Sequence, residues 1–243
     1  MFFAMLWLPL GQRVFLVEHW MKIGAYLAPM ILFYAVRENF LASKPLLSDR
    51  RMMASLLTSI YLVHQIEEHW VDLLGRVYPL HELLNAMLRD RIGESVYGVM
   101  TPEAIFFINT SLVWLPGFIA IWRAPDHLFP TLAMSGIILA NGLAHLGQGL
   151  VTWSYNPGLL TAAVLFIPIS LAIYGLLLKS CDVRPRQLVA SIAWGIGAHA
   201  LLFAGLLASG VYGIVPLGAY YMALVAWAIL PAFMFNQTGG TTR

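Results

Sequence analysis

The feature that most restricts this chain is a series of apolar runs, each near the length a helix needs to cross a bilayer. About 20 mostly apolar residues span the hydrocarbon core as a helix. A helix is the form that satisfies every backbone polar group inside one segment where no water is available. Such runs occupy Lys22–Val36, Met52–Trp70, Ala104–Trp122, Leu128–Val151, Gly158–Leu178, Leu188–Ala208 and Val211–Phe235. The expected fold class is all-α: a polytopic integral membrane bundle of about seven transmembrane helices, one domain over residues 1–243. The stretch Met1–Val17 is also apolar but is interrupted by Gly11-Gln12-Arg13. It reads as an interfacial helix or an eighth span, and it lacks the basic first region of a cleavable signal.

Composition decides which partners remain. Only 11% of residues are charged and 60% are apolar, whereas soluble domains carry roughly a quarter charged residues. The bilayer is therefore the expected surrounding. A net charge of +2 with no basic run excludes nucleic acid. The single cysteine, Cys181, excludes an internal disulfide and a cysteine-based zinc ribbon. The connections are short except Val71–Glu103, which is polar enough to hold an external helix or cap.

Cations set the expected orientation, because Lys and Arg accumulate on the cytoplasmic side. Arg37, Lys44, Arg50, Arg51, Arg123, Lys179, Arg184, Arg186 and Arg243 fall on one side of an alternating topology. Arg13, Lys22, Arg76, Arg89 and Arg91 fall on the other. The nine-charge side is expected in the cytoplasm. Trp20, Trp70, Trp122 and Trp153 stand at the ends of the runs, where an aromatic belt would sit.

Ionisable groups within such runs are costly unless paired or hydrated, so they are the first functional candidates. His64-Gln65-Ile66-Glu67-Glu68 ends the second run. At about 100° per residue, Glu67 and Glu68 lie about −60° and +40° from His64, on one helix face. Two adjacent carboxylates facing a bundle interior repel each other unless a cation neutralises them. His69, about 140° from His64, is expected to point elsewhere. A second cluster, Asn141-Gly142-Leu143-Ala144-His145, again places two polar groups four residues apart. His199 stands alone after Gly195-Ile196-Gly197-Ala198, small residues that would let a neighbouring helix approach. A lone histidine of this kind is equally a structural group bonded to a carbonyl. Glu103, after Thr101-Pro102, reads as a solvated helix start, and Asn156-Pro157-Gly158 as a turn that begins the next span. The sequon Asn236-Gln237-Thr238 falls on the expected cytoplasmic side, where it carries no meaning. In the alternating topology His64, His145 and His199, with Glu103 at the outer mouth, fall within about 10 Å of depth in the non-cytoplasmic half, at about 1.5 Å per residue.

With these residues in place, the chain resembles the membrane family known for its HXXEE motif. His64 to Glu68 carries the motif, and Asn141-x-x-x-His145 followed by Tyr155-Asn156-Pro157-Gly158 extends the likeness, over roughly Met52 to Leu178. The resemblance implies a small polytopic, metal-dependent membrane protein with His64, Glu67, Glu68, Asn141 and His145 as its functional set. It implies no reaction.

Mixed imidazole and carboxylate donors suit zinc or iron better than calcium or magnesium. The expected metal ligands are His64, Glu68, His145 and His199, with zinc favoured and iron the alternative. Glu67 is expected to take a proton from a metal-activated water, and Asn141 to bind an oxyanion or hold a histidine tautomer. The expected activity is hydrolysis of an amide or ester in a hydrophobic, lipid-like small molecule that enters from the bilayer. The alternatives are a non-haem iron hydroxylase or desaturase, a metal-free acid/base isomerase or cyclase of a lipid, and a metal or proton path.

Overall fold

Eight helices joined by short turns make up the described residues of the computed structural model, 10–45, 47–93, 100–180 and 182–235. They are α1 (Leu10–Leu41), α2 (Arg50–His69), α3 (Pro79–Ile92), α4 (Pro102–Arg123), α5 (Phe129–Thr152), α6 (Leu159–Lys179), α7 (Pro185–Val211) and α8 (Leu217–Ala232). No strand occurs among the described residues. Residues 1–9, the sequon at Asn236, Arg243 and Cys181 lie outside them.

The caps show why the helices begin where they do. Asp49 accepts from the N–H groups of Arg51 and Met52 and opens α2, as a short polar side chain does at an N-cap. Thr101 accepts from the N–H of Ala104, with Pro102 next, and opens α4 as its Thr-Pro-Glu sequence suggests. Glu103 is exposed at that start. The external segment does hold a helix, α3.

α4, α5, α6 and α7 are each long and apolar enough to cross a membrane. The seven-span reading is thus met by four helices on length and composition alone. α1 carries Arg13, Glu18, Lys22, Arg37 and Glu38, and α2 ends in the His-Glu-Glu-His run. The last apolar run is divided by a turn at Gly213, leaving α8 shorter. The described part of the N-terminal stretch, residues 10–17, is neither a separate span nor a separate interfacial helix. It is the first turns of α1, which runs unbroken through Gly11-Gln12-Arg13.

The helices alternate in direction, so the molecule has two distinct ends. At one, Arg50 pairs with Asp182 at 3.2 Å, and Lys44, Arg51 and Pro125 line one cleft. At the other, Lys22 lies over Trp70 and the N–H of Leu73 donates to the Tyr155 hydroxyl. α4 and α5 are largely enclosed by their neighbours, whereas α6 and α7 expose most of their apolar surface, as lipid-facing helices do.

α5 and α7 meet backbone to backbone. A Cβ at Gly136 would lie 1.9 Å from the carbonyl oxygen of Ser191, and one at Gly195 would lie 2.1 Å from that of Gly136. The small residues before His199 therefore bring a neighbour close, as expected. Of the tryptophans read as a belt, Trp122 and Trp153 are exposed at opposite ends. Trp20 departs from that reading: it is 2% exposed and packs its ring 5.2 Å from that of His69.

Candidate metal centre

α2 supplies His64 and Glu68 from one face, and α5 supplies His145 from the helix beside it. Ligand atoms of the three lie within 4.8 Å of one another, and all three residues are buried. Glu68 Oε1 is 3.3 Å from His64 Nε2 and 2.9 Å from His145 Nε2. Its other oxygen is 3.5 Å from Nε2 of His69. The expectation that His69 points away is wrong: α2 ends there, and the ring turns inward against Trp20.

The hydrogen-bond partners decide which nitrogen of each imidazole carries the proton. Glu67 is ionisable and acceptor-only when charged, so Thr161 spends its hydroxyl proton on Glu67 Oε2 at 2.5 Å. Thr161 Oγ1 must then accept from His64 Nδ1, 2.7 Å away. That leaves a lone pair on His64 Nε2, a fully buried atom with no hydrogen-bond partner. Asn156 donates its amide to the carbonyl of His145 at 3.0 Å, so its Oδ1 accepts from His145 Nδ1 at 2.7 Å. His145 Nε2, 2.9 Å from Glu68 Oε1, thus presents a lone pair in the neutral ring and donates to Glu68 only when the ring is doubly protonated. A third chain runs from the indole of Trp114 to Gln65, from Gln65 to Asn109, and from the Asn109 amide to His69 Nε2. His69 Nε2 is an acceptor as well.

Two of these networks therefore turn the Nε2 atoms of His64 and His145 toward one carboxylate that is only 6% exposed, whereas the lone pair of His69 is spent on Asn109. With both rings neutral, acceptors face an acceptor, and such an arrangement is costly in a buried site. A cation at their centre removes the conflict. Two imidazoles and a carboxylate are the donor set of catalytic zinc sites and of mononuclear non-haem iron sites, so the residues present fit either ion.

The turn between α5 and α6 closes over the cluster. Gly158 has φ +94°, and a Cβ there would lie 2.7 Å from Cε1 of both His64 and His145 and 3.0 Å from Cγ of Glu68. No other residue combines that backbone with that approach. Below the rings lies an aromatic floor: Phe166 is 4.2 Å from the His64 ring and 4.9 Å from that of Tyr61, centre to centre.

Three expected roles change. Glu67 offers no free oxygen to the cluster. Its Oε1 accepts from the Tyr155 hydroxyl at 2.7 Å and from Leu160 N–H at 3.1 Å, and its Oε2 from Thr161 N–H at 2.8 Å and Thr161 Oγ1 at 2.5 Å. Four donors use the four acceptor positions of a carboxylate, so Glu67 caps α6 and serves the cluster only through Thr161. Burial, and then the carboxylate it serves, push the Tyr155 phenol above its usual range, keeping it a donor. Asn141 does not hold the His145 tautomer, a task that falls to Asn156; its amide donates to Tyr61 Oη at 2.7 Å. His199 is not among the clustered ligands. Its Nδ1–H donates to the carbonyl of Gly195, one turn earlier, at 2.8 Å.

Sequence reasoning passed over Thr161, Asn156 and Gly158. Asn156 and Gly158 carried a turn signal and a place in the family likeness but no assigned role, and Thr161 carried no signal. Residues 55–173 match the model of a family described as "Protein of unknown function with HXXEE motif". That stretch contains the cluster, the turn above it and Phe166 below it. No curated protein and no solved structure matches the chain.

Proposed function

We propose that this chain, a member of the HXXEE-motif family over residues 55–173, is an integral membrane metalloenzyme that hydrolyses an amide or ester bond in a lipid-like molecule. The observation that carries the reading is the convergence of the buried Nε2 atoms of His64 and His145 on Glu68, with ligand atoms of all three within 4.8 Å. His64, Glu68 and His145 hold one divalent cation, zinc on this reading. Three protein ligands leave a position free for water or substrate, as catalytic zinc sites do. A bound ion of this kind supplies Lewis acidity and lowers the pKa of its water to about 7. Thr161 and Asn156 fix the two histidine tautomers, and Glu67 fixes Thr161. Gly158 and Phe166 close the site above and below and exclude bulk water.

The membrane setting supports a hydrophobic substrate. α1, α2 and α8 complete a seven-span bundle with the four long apolar helices, and their directions alternate as such a bundle requires. On this reading the cation-rich end is cytoplasmic and the metal centre lies in the opposite half of the bilayer. A second reading is favoured by the same donor set: two histidines and one carboxylate also hold a single ferrous ion in oxygenases. A two-iron site has less support, because Glu67 is spent on α6.

Elemental analysis of the purified protein separates these readings. One zinc per chain, falling below a tenth in Glu68→Ala, supports the hydrolase. One iron per chain with oxygen consumption replaces it with the oxygenase. A wild-type protein without stoichiometric metal, or Glu68→Ala with full occupancy, overturns both.

A further inference from the structure

Next to the metal centre is a small recess of about 40 Å³ bounded by α2, α4, α5 and α7 and partly open to the surface. Its walls are apolar, with Leu112, Ile137 and Leu202 among them, and three polar side chains, Tyr61, Asn109 and His199, interrupt them. Tyr61 stands one turn before the metal motif and packs its ring 5.7 Å from that of His64. The recess and the metal centre thus share a wall. α4 widens into a π-helical turn at Thr110–Trp114 beside it, a distortion found mostly at functional sites.

The polar groups of the recess have unspent capacity of opposite kinds. Tyr61 Oη accepts from Asn141, but its own O–H donates to no group among the described residues. His199 gives its Nδ1 proton to Gly195, so its Nε2 is an acceptor, and no described group donates to it. Asn109 is committed to Gln65, Ile105 and His69. An apolar pocket with one free donor and one free acceptor is built to read a group that accepts and donates at once.

We infer that this recess binds the amide group of a neutral long-chain amide, its carbonyl accepting from Tyr61 and its N–H donating to His199. The volume suits a group of a few heavy atoms, with the chain running out between helices into lipid. An ester offers no proton and leaves His199 unpaired. A site that loses such a partner rejects the analogue by about tenfold to a hundredfold. Only the fate of the bound amide rests on the metalloenzyme reading; its binding does not. His199 is here a specificity residue and not a metal ligand.

The test is photolabelling of the purified protein with a diazirine-bearing hexadecanamide, competed by hexadecanamide, hexadecanol, methyl hexadecanoate and hexadecane, with metal content measured on the same samples. Labelled peptides should map to residues 108–113 and 198–202, and hexadecanamide should compete at least tenfold better than each of the others. His199→Leu should reduce the amide to the level of the ester, and Leu202→Trp, which fills the recess without touching its polar groups, should abolish labelling. Equal competition by the ester, the alcohol or the alkane in the wild-type protein overturns the inference, as does labelling elsewhere or amide preference retained in His199→Leu. Amide-selective labelling of a protein without metal would overturn the metalloenzyme reading alone. Full metal without amide selectivity would overturn the recess alone.

Discussion

At the residue scale the centre depends on proton positions as much as on ligand identity. Thr161→Val keeps the shape of the side chain but removes the oxygen that accepts from His64 Nδ1. Changes to groups that orient a metal ligand cost about 10- to 100-fold in metal affinity. Competition with a chelator of known affinity should show a loss of that size for Thr161→Val. Gly158 is the other sensitive residue, because its backbone is left-handed and it lies against both imidazole rings. Ala there adds backbone strain of about 1–2 kcal/mol to overpacking of about 1–3 kcal/mol. Gly158→Ala should therefore lose bound metal and unfold at a lower temperature. A variant with wild-type metal content would remove Gly158 from its role as the cover of the site.

At the element scale the start of α6 ties the site to the fold. Glu67 receives the N–H groups of Leu160 and Thr161, which no carbonyl of α6 can satisfy. Removing the carboxylate leaves those donors and the Tyr155 hydroxyl unpaired. Glu67→Ala should cost about 1–3 kcal/mol of stability and weaken metal binding through Thr161. A thermal unfolding series with and without added zinc would show both effects. The turn after α2 gives a pH signature outside the spans. Burial alone would raise the Asp72 carboxyl, but the backbone N–H and guanidinium of Arg76 outweigh it and hold the pKa below its ordinary 3.8. A carboxyl with a depressed folded pKa stabilises above its unfolded value, and that contribution disappears as pH falls through the folded one. The amides of Leu74 and Arg76, which donate to Asp72, should stay protected from hydrogen exchange at pH 5 and open only below about pH 4.

At the scale of the whole molecule, alternation of the helices divides the polar groups between two ends. Ser43 lies beside the cation-rich loop, and Gly75 lies in the turn near Tyr155. With Cys181→Ser as background, a cysteine at position 75 should react with a membrane-impermeant maleimide added outside intact cells. One at position 43 should react only after permeabilisation. The reverse pattern would invert the orientation, and reaction of both from outside would refute the alternating topology. The exposed apolar faces of α6 and α7 agree with a molecule whose sides meet lipid, since soluble monomers rarely show apolar patches on that scale.

What the sequence by itself determined is what one segment can determine. Apolar runs of membrane length dictate helices, the 3.6-residue period puts His64 and Glu68 on one face, and Gly195 beside His199 permits a close neighbour. Each is a property of a few consecutive residues, and each is found in the structure. Tertiary structure decided everything that depends on how separate helices are rotated against one another. A helical wheel places Glu67 and Glu68 on either side of His64 with equal right; α6 claims Glu67 for its first turn and leaves Glu68 to the histidines. His69, turned away on the wheel, comes inward because α2 ends there and α1 brings Trp20 against it. His199 has the depth of a ligand, but its ring is bonded to its own helix and faces the recess. The turn that covers the centre joins α5 to α6, and its Asn156 and Gly158 acquire meaning only when the chain folds back over residues nearly a hundred positions earlier. Hydropathy and period are local quantities, whereas a metal centre is an intersection of several helices, and no single stretch of sequence encodes where they cross.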